Sequence, residues 1–320
     1  MMFQVISCST DQTSEEPKEN ANSNFEVVTT IYPLGYLAQE ILGTNGNVTV
    51  LAKPGVDFHD YEITPGDLLT VYGSDLFILN GLGLDSGVEN VLNLSEFKNP
   101  SVLMHSISED EVLSKTEYAI FSKGHDHGHH DEHDEHDEHD EHEGHDHGTY
   151  DPHFWLDPAR ASLAIDEITA QLTVIDPDSA SFYQENATAY KKQLSDLDNQ
   201  MASMFEQIPD KDRRLVTSHE ALGYLAVRYD FEIIGTVIPS MSTESGPTAG
   251  AIAKLVDDIK TEEVKVIFME SGIEEKITTQ IGQDANVEVI TGLQIEYLLE
   301  GETYLQMMTK VSELISEGLQ

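Results

Sequence analysis

Cysteine is nearly absent from this sequence: Cys8 is the single one among 320 residues. One thiol excludes an internal disulfide and any zinc site built from cysteine pairs. Long hydrophobic runs are missing as well, since no stretch reaches the roughly 18 consecutive apolar residues of a membrane-crossing helix. Basic side chains are scarce, with 17 Lys and Arg against 59 Asp and Glu, for a formal net charge of -42. Such a surface repels nucleic acid, whose affinity comes largely from cations meeting phosphate, and it attracts cations instead. Most of that charge is spread along the chain, as expected of general surface solvation. What is present suffices for folding: 39% of residues are hydrophobic, and the length suits two domains of about 100–200 residues each.

The N-terminus opens with a short apolar run, Met1, Met2, Phe3, Val5 and Ile6, without Lys or Arg before it. A full signal peptide has a basic start and a longer apolar core, so a start upstream of Met1 is expected. Val5-Ile6-Ser7-Cys8 looks like a lipobox, with Cys8 as the lipidated residue. Ser9 to Asn24 is rich in Ser, Thr, Glu, Asn and Gln, the composition of a flexible tether. Residues 1–24 are therefore read as lipobox and tether.

From Phe25 the pattern alternates strands and helices. Strands are expected at Phe25–Ile31, Asn47–Ala52, Asp75–Asn80 and Ser101–His105. Helices are expected from Pro33 to Leu42, stopped by Gly43, and after Thr64-Pro65-Gly66-Asp67, where Thr64 is the N-cap and Pro65 the first helical residue. Pro158 to Ile175 reads as a helix with Ala161, Ala164, Ile165, Ile168 and Leu172 on one face. Beyond Asp176-Pro177-Asp178, a periodic stretch through Tyr183, Ala187, Tyr190, Leu194, Leu197, Met201, Met204 and Ile208 predicts a helix of about 30 residues, near 45 Å long. That length suits a spine between two lobes. A second strand–helix series runs from Arg214 to the final helix at Thr303–Gly318, including a helix over Glu220–Tyr229. The fold class is therefore α/β: two lobes, each with a mainly parallel sheet flanked by helices, joined by one long rigid α-helix. The expected division is a lobe over 25–175, a linking helix over 176–208 and a second lobe over 209–320.

Histidine carries the chemistry. Of 14 histidines, most crowd into the stretch from Gly124 to Gly148: His125, His127, His129, His130, His133, His136, His139, His142, His145 and His147. Outside it lie His59, His105, His153 and His219. His59 follows the strand ending at Ala52, His153 precedes the helix opened by Pro158, and His219 sits where a strand turns into a helix. Ligands of open α/β sheets bind at the carboxyl ends of strands. Two histidines from one lobe and one from the other are thus expected to converge on the cleft between lobes. Neutral imidazoles favour zinc and leave a fourth tetrahedral position for a carboxylate or water. Asp57, Asp157 and Glu220 are candidates to take the free ring N–H groups. His105 ends an apolar strand without such neighbours and reads as a structural or surface residue.

These segments also resemble a family. Pro54-Gly55 through His59-Asp60-Tyr61-Glu62, then Asp151-Pro152-His153-Phe154-Trp155-Leu156-Asp157-Pro158, then Thr217-Ser218-His219, look like the solute-binding proteins of zinc and manganese ABC importers, the cluster A-I group. Phe268-Met269-Glu270-Ser271 and Glu302-Thr303-Tyr304-Leu305-Gln306-Met307-Met308 extend the resemblance over nearly all of the chain from Phe25. It implies two lobes bridged by one rigid helix and metal ligands at His59, His153 and His219. The family's fourth ligand is often an aspartate in the last loop; Glu296 takes that place here, with Glu270 in reserve, although its place at a strand end looks more like a structural carboxylate. Manganese-type relatives tend to carry Glu where this chain has His219, so histidine argues for Zn(II) as the ion. The implied role is non-enzymatic: an extracytoplasmic, lipid-anchored monomer that hands zinc to a membrane permease with its ATPase.

The segment 124–148 interleaves His with Asp and Glu, a composition that forms no core and is expected to stay solvated and mobile, with many weak, exchanging metal sites. Such loops are common in the zinc-type members that the chain resembles. Three other functions remain open at this level: a manganese-type binding protein, a zinc-scavenging or adhesion lipoprotein, and a mononuclear zinc hydrolase. The last lacks an evident general base, nucleophile or oxyanion motif.

Overall fold

The computed structural model describes residues 25–53, 58–59, 61–92, 100–102, 150–240, 246–270, 275–299 and 301–320. Cys8, Asp57, His105 and the ten histidines from His125 to His147 lie outside the described residues.

Each lobe is built on a four-stranded parallel sheet. The first has β1 (Phe25–Thr29), β2 (Gly46–Val50), β3 (Leu76–Leu79) and β4 (Pro100–Val102), in the order β2-β1-β3-β4. The second has β5 (Arg214–Thr217), β6 (Glu232–Thr236), β7 (Val266–Glu270) and β8 (Glu288–Leu293), in the order β6-β5-β7-β8. Counted within each lobe the two orders are the same. Parallel strands need crossovers, and the helices that supply them cover the sheet faces, which leaves β3 and β7 buried throughout.

Helices follow the sequence signals closely. α1 (Tyr32–Leu42) has proline in its first turn and ends at Gly43, whose φ of 59° is one that glycine adopts without strain. α2 (Pro65–Tyr72) starts in a capping box: Thr64 accepts from the Asp67 amide while Asp67 accepts from the Thr64 amide. α3 is the short Ser86–Glu89 turn. It follows a left-handed run, Gly81, Leu82 and Gly83, at φ 85°, 57° and 85°. The buried Asp85 carboxylate closes that run by accepting the Gly81 N–H at 2.5 Å. Burial pushes the Asp85 carboxyl up to about 7, against the hydrogen bonds that it accepts.

α4 (Pro158–Ile175) leads through a 3-10 turn at Pro177–Ser179 into α5 (Ala180–Phe205), the 26-residue spine. At 1.5 Å per residue, α5 is about 39 Å long. It ends at Phe205, short of the Ile208 expected from periodicity, because Pro209 halts the chain just beyond. Phe205, and not Met204, is the buried member of its last turn. α5 packs on α1 and α4 and also on α9 (Tyr304–Leu319). A single hydrophobic cluster accordingly runs from Val27 and Phe77 through Tyr183, Leu194 and Phe205 to Leu215, Phe268 and Met308.

α6 (Gly223–Tyr229) begins three residues later than the Glu220 start expected from sequence. Residues 219–222 turn instead, with the Ala221 N–H on the His219 carbonyl, because His219 is held by a carboxylate of another strand. α7 (Ala249–Thr261) and α8 (Glu275–Ala285) complete the second lobe. Among the described residues, no helix is long and apolar enough to cross a membrane.

Candidate metal centre

Four segments bring four side chains to one point between the lobes: His59, His153, His219 and Glu296. His59 lies beyond the carboxyl end of β2, His219 two residues past β5, and Glu296 three residues past β8. His153 precedes the 3-10 turn Phe154–Leu156 that feeds α4. All four donor atoms lie within 4.8 Å of one another.

The separations are informative. His153 Nε2 is 3.4 Å from His59 Nε2 and 3.3 Å from His219 Nε2. Glu296 Oε1 is 3.4 Å from His59 Nε2 and 3.5 Å from His219 Nε2. A regular tetrahedron with bonds of about 2.0–2.1 Å has edges of about 3.3–3.4 Å. Four of the six donor separations match these edges, and all six lie within 4.8 Å, a spacing that one small cation can bridge. The three imidazoles are buried, and the Glu296 side chain is 16% exposed.

The far side of each ring decides which nitrogen faces inward. His153 Nδ1 contacts Asp151 Oδ1 at 2.7 Å, and the same oxygen accepts the His153 amide at 2.9 Å. His219 Nδ1 contacts Glu270 Oε2 at 2.9 Å, and its amide donates to Glu270 Oε1 at 3.3 Å. A carboxylate on Nδ1 keeps the ring proton there and leaves the Nε2 lone pair for a metal. Two Nε2 lone pairs facing each other at 3.3 Å repel, and a cation between them removes that repulsion.

Electrostatics agree. Burial, helped by the neighbouring His219 and His59, holds the His153 imidazole well below its ordinary value, so the ring stays in the neutral, ligating form. Burial pushes the Asp151 carboxyl up to about 8, so without a metal ion Asp151 and the neutral His153 share one proton along their 2.7 Å contact, and burial also raises the Glu270 carboxyl above its usual range. For Glu296, burial acts upward, but contact with His59 and the charges of the three imidazoles outweigh it and bring the carboxyl down to about 2. A carboxylate beside three imidazoles is a donor set for a divalent ion.

The Asp151–Pro158 segment is fixed from both lobes. Asn80 Nδ2 donates to the Pro152 carbonyl at 3.1 Å from the first. From the second, the Tyr224 hydroxyl donates to the Asp151 carbonyl at 2.8 Å and the Tyr304 hydroxyl to the Trp155 carbonyl at 2.5 Å. Trp155 returns a bond, its indole N–H on the Ile295 carbonyl at 2.6 Å, beside Glu296.

Three carboxylates singled out in the sequence find their places here. Glu270 is not placed as a ligand; it takes the His219 ring N–H because β7 ends behind that ring. Asp157 does not take a ring N–H either. It caps α4 at the Ala159 amide, 2.8 Å away, and pairs with Arg160 and Arg228. At His219 the ring N–H goes to Glu270 and not to the candidate Glu220, whereas Asp57 lies outside the described residues. Asp151 was missed, although its place two residues before His153 is the sequence signal for a local carboxylate–imidazole pair.

Comparison with known proteins places the chain. A family model described as zinc-uptake complex component A, periplasmic, matches residues 27–318. The high-affinity zinc uptake system protein ZnuA of Bacillus subtilis (strain 168) is 29% identical, over 99% of this chain and 94% of its own length. The manganese-binding lipoprotein MntA of the same strain is 28% identical, over 88% of this chain and 81% of its own length. Among solved structures, the periplasmic zinc-binding protein TroA from Treponema pallidum shares the fold, with a TM-score of 0.78, 24% identity, and coverage of 92% of this chain and 99% of that one. These relatives are binding components and not enzymes, and the chain belongs to the family of zinc-uptake complex component A, the extracytoplasmic metal-binding proteins of ABC importers.

Proposed function

We propose that the cargo is Zn(II), held by His59, His153, His219 and Glu296 and handed to an importer permease driven by its ATPase. One observation carries this reading: four donor atoms, three of them imidazole nitrogens, all within 4.8 Å of one another and with four of their six separations at 3.3–3.5 Å. Imidazole suits zinc, whereas manganese is better served by carboxylate, carbonyl and water oxygens. Relatives named for zinc and for manganese are about equally similar, so the donor set, and not the kinship, supports zinc. Four protein donors also close the coordination shell, unlike a catalytic zinc, which keeps an open position. On the same reading the chain divides into 25–175, 176–208 and 209–320, Cys8 carries a lipid anchor, and the histidines of 124–148 collect zinc weakly.

The test is a Zn(II) and Mn(II) titration of the intact protein, a deletion of 124–148, and His219→Ala. One tight zinc site that survives the deletion and weakens in His219→Ala is expected, with the weak sites vanishing with the loop. Tight binding that disappears only with the loop refutes the ligand set, and tighter Mn(II) than Zn(II) binding refutes the cargo.

A further inference from the structure

Glu296 is delivered by the short connection from β8 to α9, and that connection is held by one carboxylate. Glu302 Oε2 accepts the Leu299 N–H at 2.9 Å and the Gln294 side-chain amide at 2.8 Å. Gln294 donates in the same direction to the Tyr297 carbonyl at 2.8 Å. Glu302 Oε1 accepts Lys310 Nζ at 2.6 Å, tying the connection to α9. The Glu302 N–H closes the turn on the Leu299 carbonyl at 2.9 Å. The Glu302 side chain is only 4% exposed although Lys310 is 61% exposed. These bonds bracket Glu296 on both sides, at 294 and at 299.

We propose that Glu302 is a positioning residue for the metal site: it shapes the 294–302 connection so that Glu296 presents one oxygen, Oε1, at 3.4–3.5 Å from the His59 and His219 Nε2 atoms. The proposal rests on Glu296 being a ligand. Trp155 fixes the same connection from the first lobe through the Ile295 carbonyl, so Glu302 sets the remaining freedom, the approach of the carboxylate. A connection that loses this anchor lets Glu296 rotate toward two-oxygen contact. That arrangement favours ions that take more oxygen ligands and penalises a tetrahedral one. Glu302 therefore acts on ion preference as well as on affinity.

Glu302→Gln keeps the size but leaves one oxygen for three donors, so either Lys310 or the pair at 294 and 299 loses its acceptor. Competition titrations with a chelator would measure Zn(II) and Mn(II) affinity in wild type, Glu302→Gln, Glu296→Gln and the double variant. Loss of a supporting partner weakens metal binding by about 10–100-fold. Such a loss of zinc affinity is expected for Glu302→Gln, with a narrowed zinc-to-manganese ratio. In the Glu296→Gln background the further loss should be under about 2-fold, because the two act as a unit. An unchanged affinity in Glu302→Gln, or an equal loss in both backgrounds, overturns the proposal. Wild-type zinc affinity in Glu296→Gln overturns the ligand reading beneath it, a distinct result. Should Glu302→Gln fail to fold, Lys310→Met probes the same anchor from the surface. A few-fold zinc loss confined to the Glu296 background supports the proposal, and no loss overturns it.

Discussion

Replacing Glu270 with glutamine tests the site through a residue that touches no cargo. Glu270 is 3% exposed, and its carboxylate holds the His219 Nδ1 at 2.9 Å and the His219 amide at 3.3 Å. Its own amide is anchored on Ser218 Oγ at 2.8 Å, so the backbone geometry should persist in the variant. The effect comes from the ring proton. An ionised carboxylate only accepts, which forces the proton onto Nδ1 and frees Nε2. A glutamine can turn its NH2 toward Nδ1, which moves the proton to Nε2, the atom that faces the other ligands. The charge-assisted bond, roughly twice as strong as a neutral one, is lost as well. Together these changes should weaken zinc binding about 10–100-fold, or about 1.4–2.7 kcal/mol. Chelator competition at pH 7.5 would measure it, with Trp155 emission as a parallel signal, since that ring is the chain's single tryptophan and lies 5.3 Å from His153. A loss under 2-fold, with unchanged metal-free stability, would refute the claim that this carboxylate sets the tautomer.

Two stability predictions probe the scaffold away from the site. Asp85 titrates at about 7 when folded, against about 3.9 for an unfolded aspartate. Between those values the native state holds a proton that the unfolded chain has released, so its contribution is full below about 3.9 and is lost as pH rises through about 7. Asp85→Asn should therefore gain on wild type by about 2–3 kcal/mol between pH 5 and pH 8 in urea melts of the metal-free protein, and a difference that does not depend on pH would contradict this. At Gly46, an added Cβ would stand 2.1 Å from the Phe25 carbonyl oxygen, a backbone atom that no rotamer change can move. Gly46→Ala should cost about 1–3 kcal/mol in thermal or urea unfolding while leaving zinc affinity unchanged, because the clash sits at the end of β2 remote from His59.

Much of the architecture was legible in the sequence because its signals are local. The Thr64–Asp67 box, Gly43 and Pro158 mark helix ends, and the period of Tyr183, Ala187, Tyr190 and Leu194 marks the spine. Positions just past strands likewise pointed to His59 and His219. Glu296 came only from family resemblance, since one glutamate among 59 acidic residues has no local signature. Glu270 could be read only as a structural carboxylate or reserve ligand, because its partner is 51 residues away across the β5–β7 pairing. Asp157 was misread because a helix cap and a ring acceptor demand the same residue type. The late start of α6 had no local signal either, because a distant carboxylate holds His219 out of the helix.

The spine has a consequence for unloading. α5 shares one continuous apolar cluster with both halves of the molecule, so swinging those halves apart as rigid jaws would expose buried leucine, tyrosine and methionine at once. Retracting a few residues at the rim disturbs far less buried surface. Loosening the strand-to-helix connection alone would open the site while the body of the carrier stays intact, ready to reload.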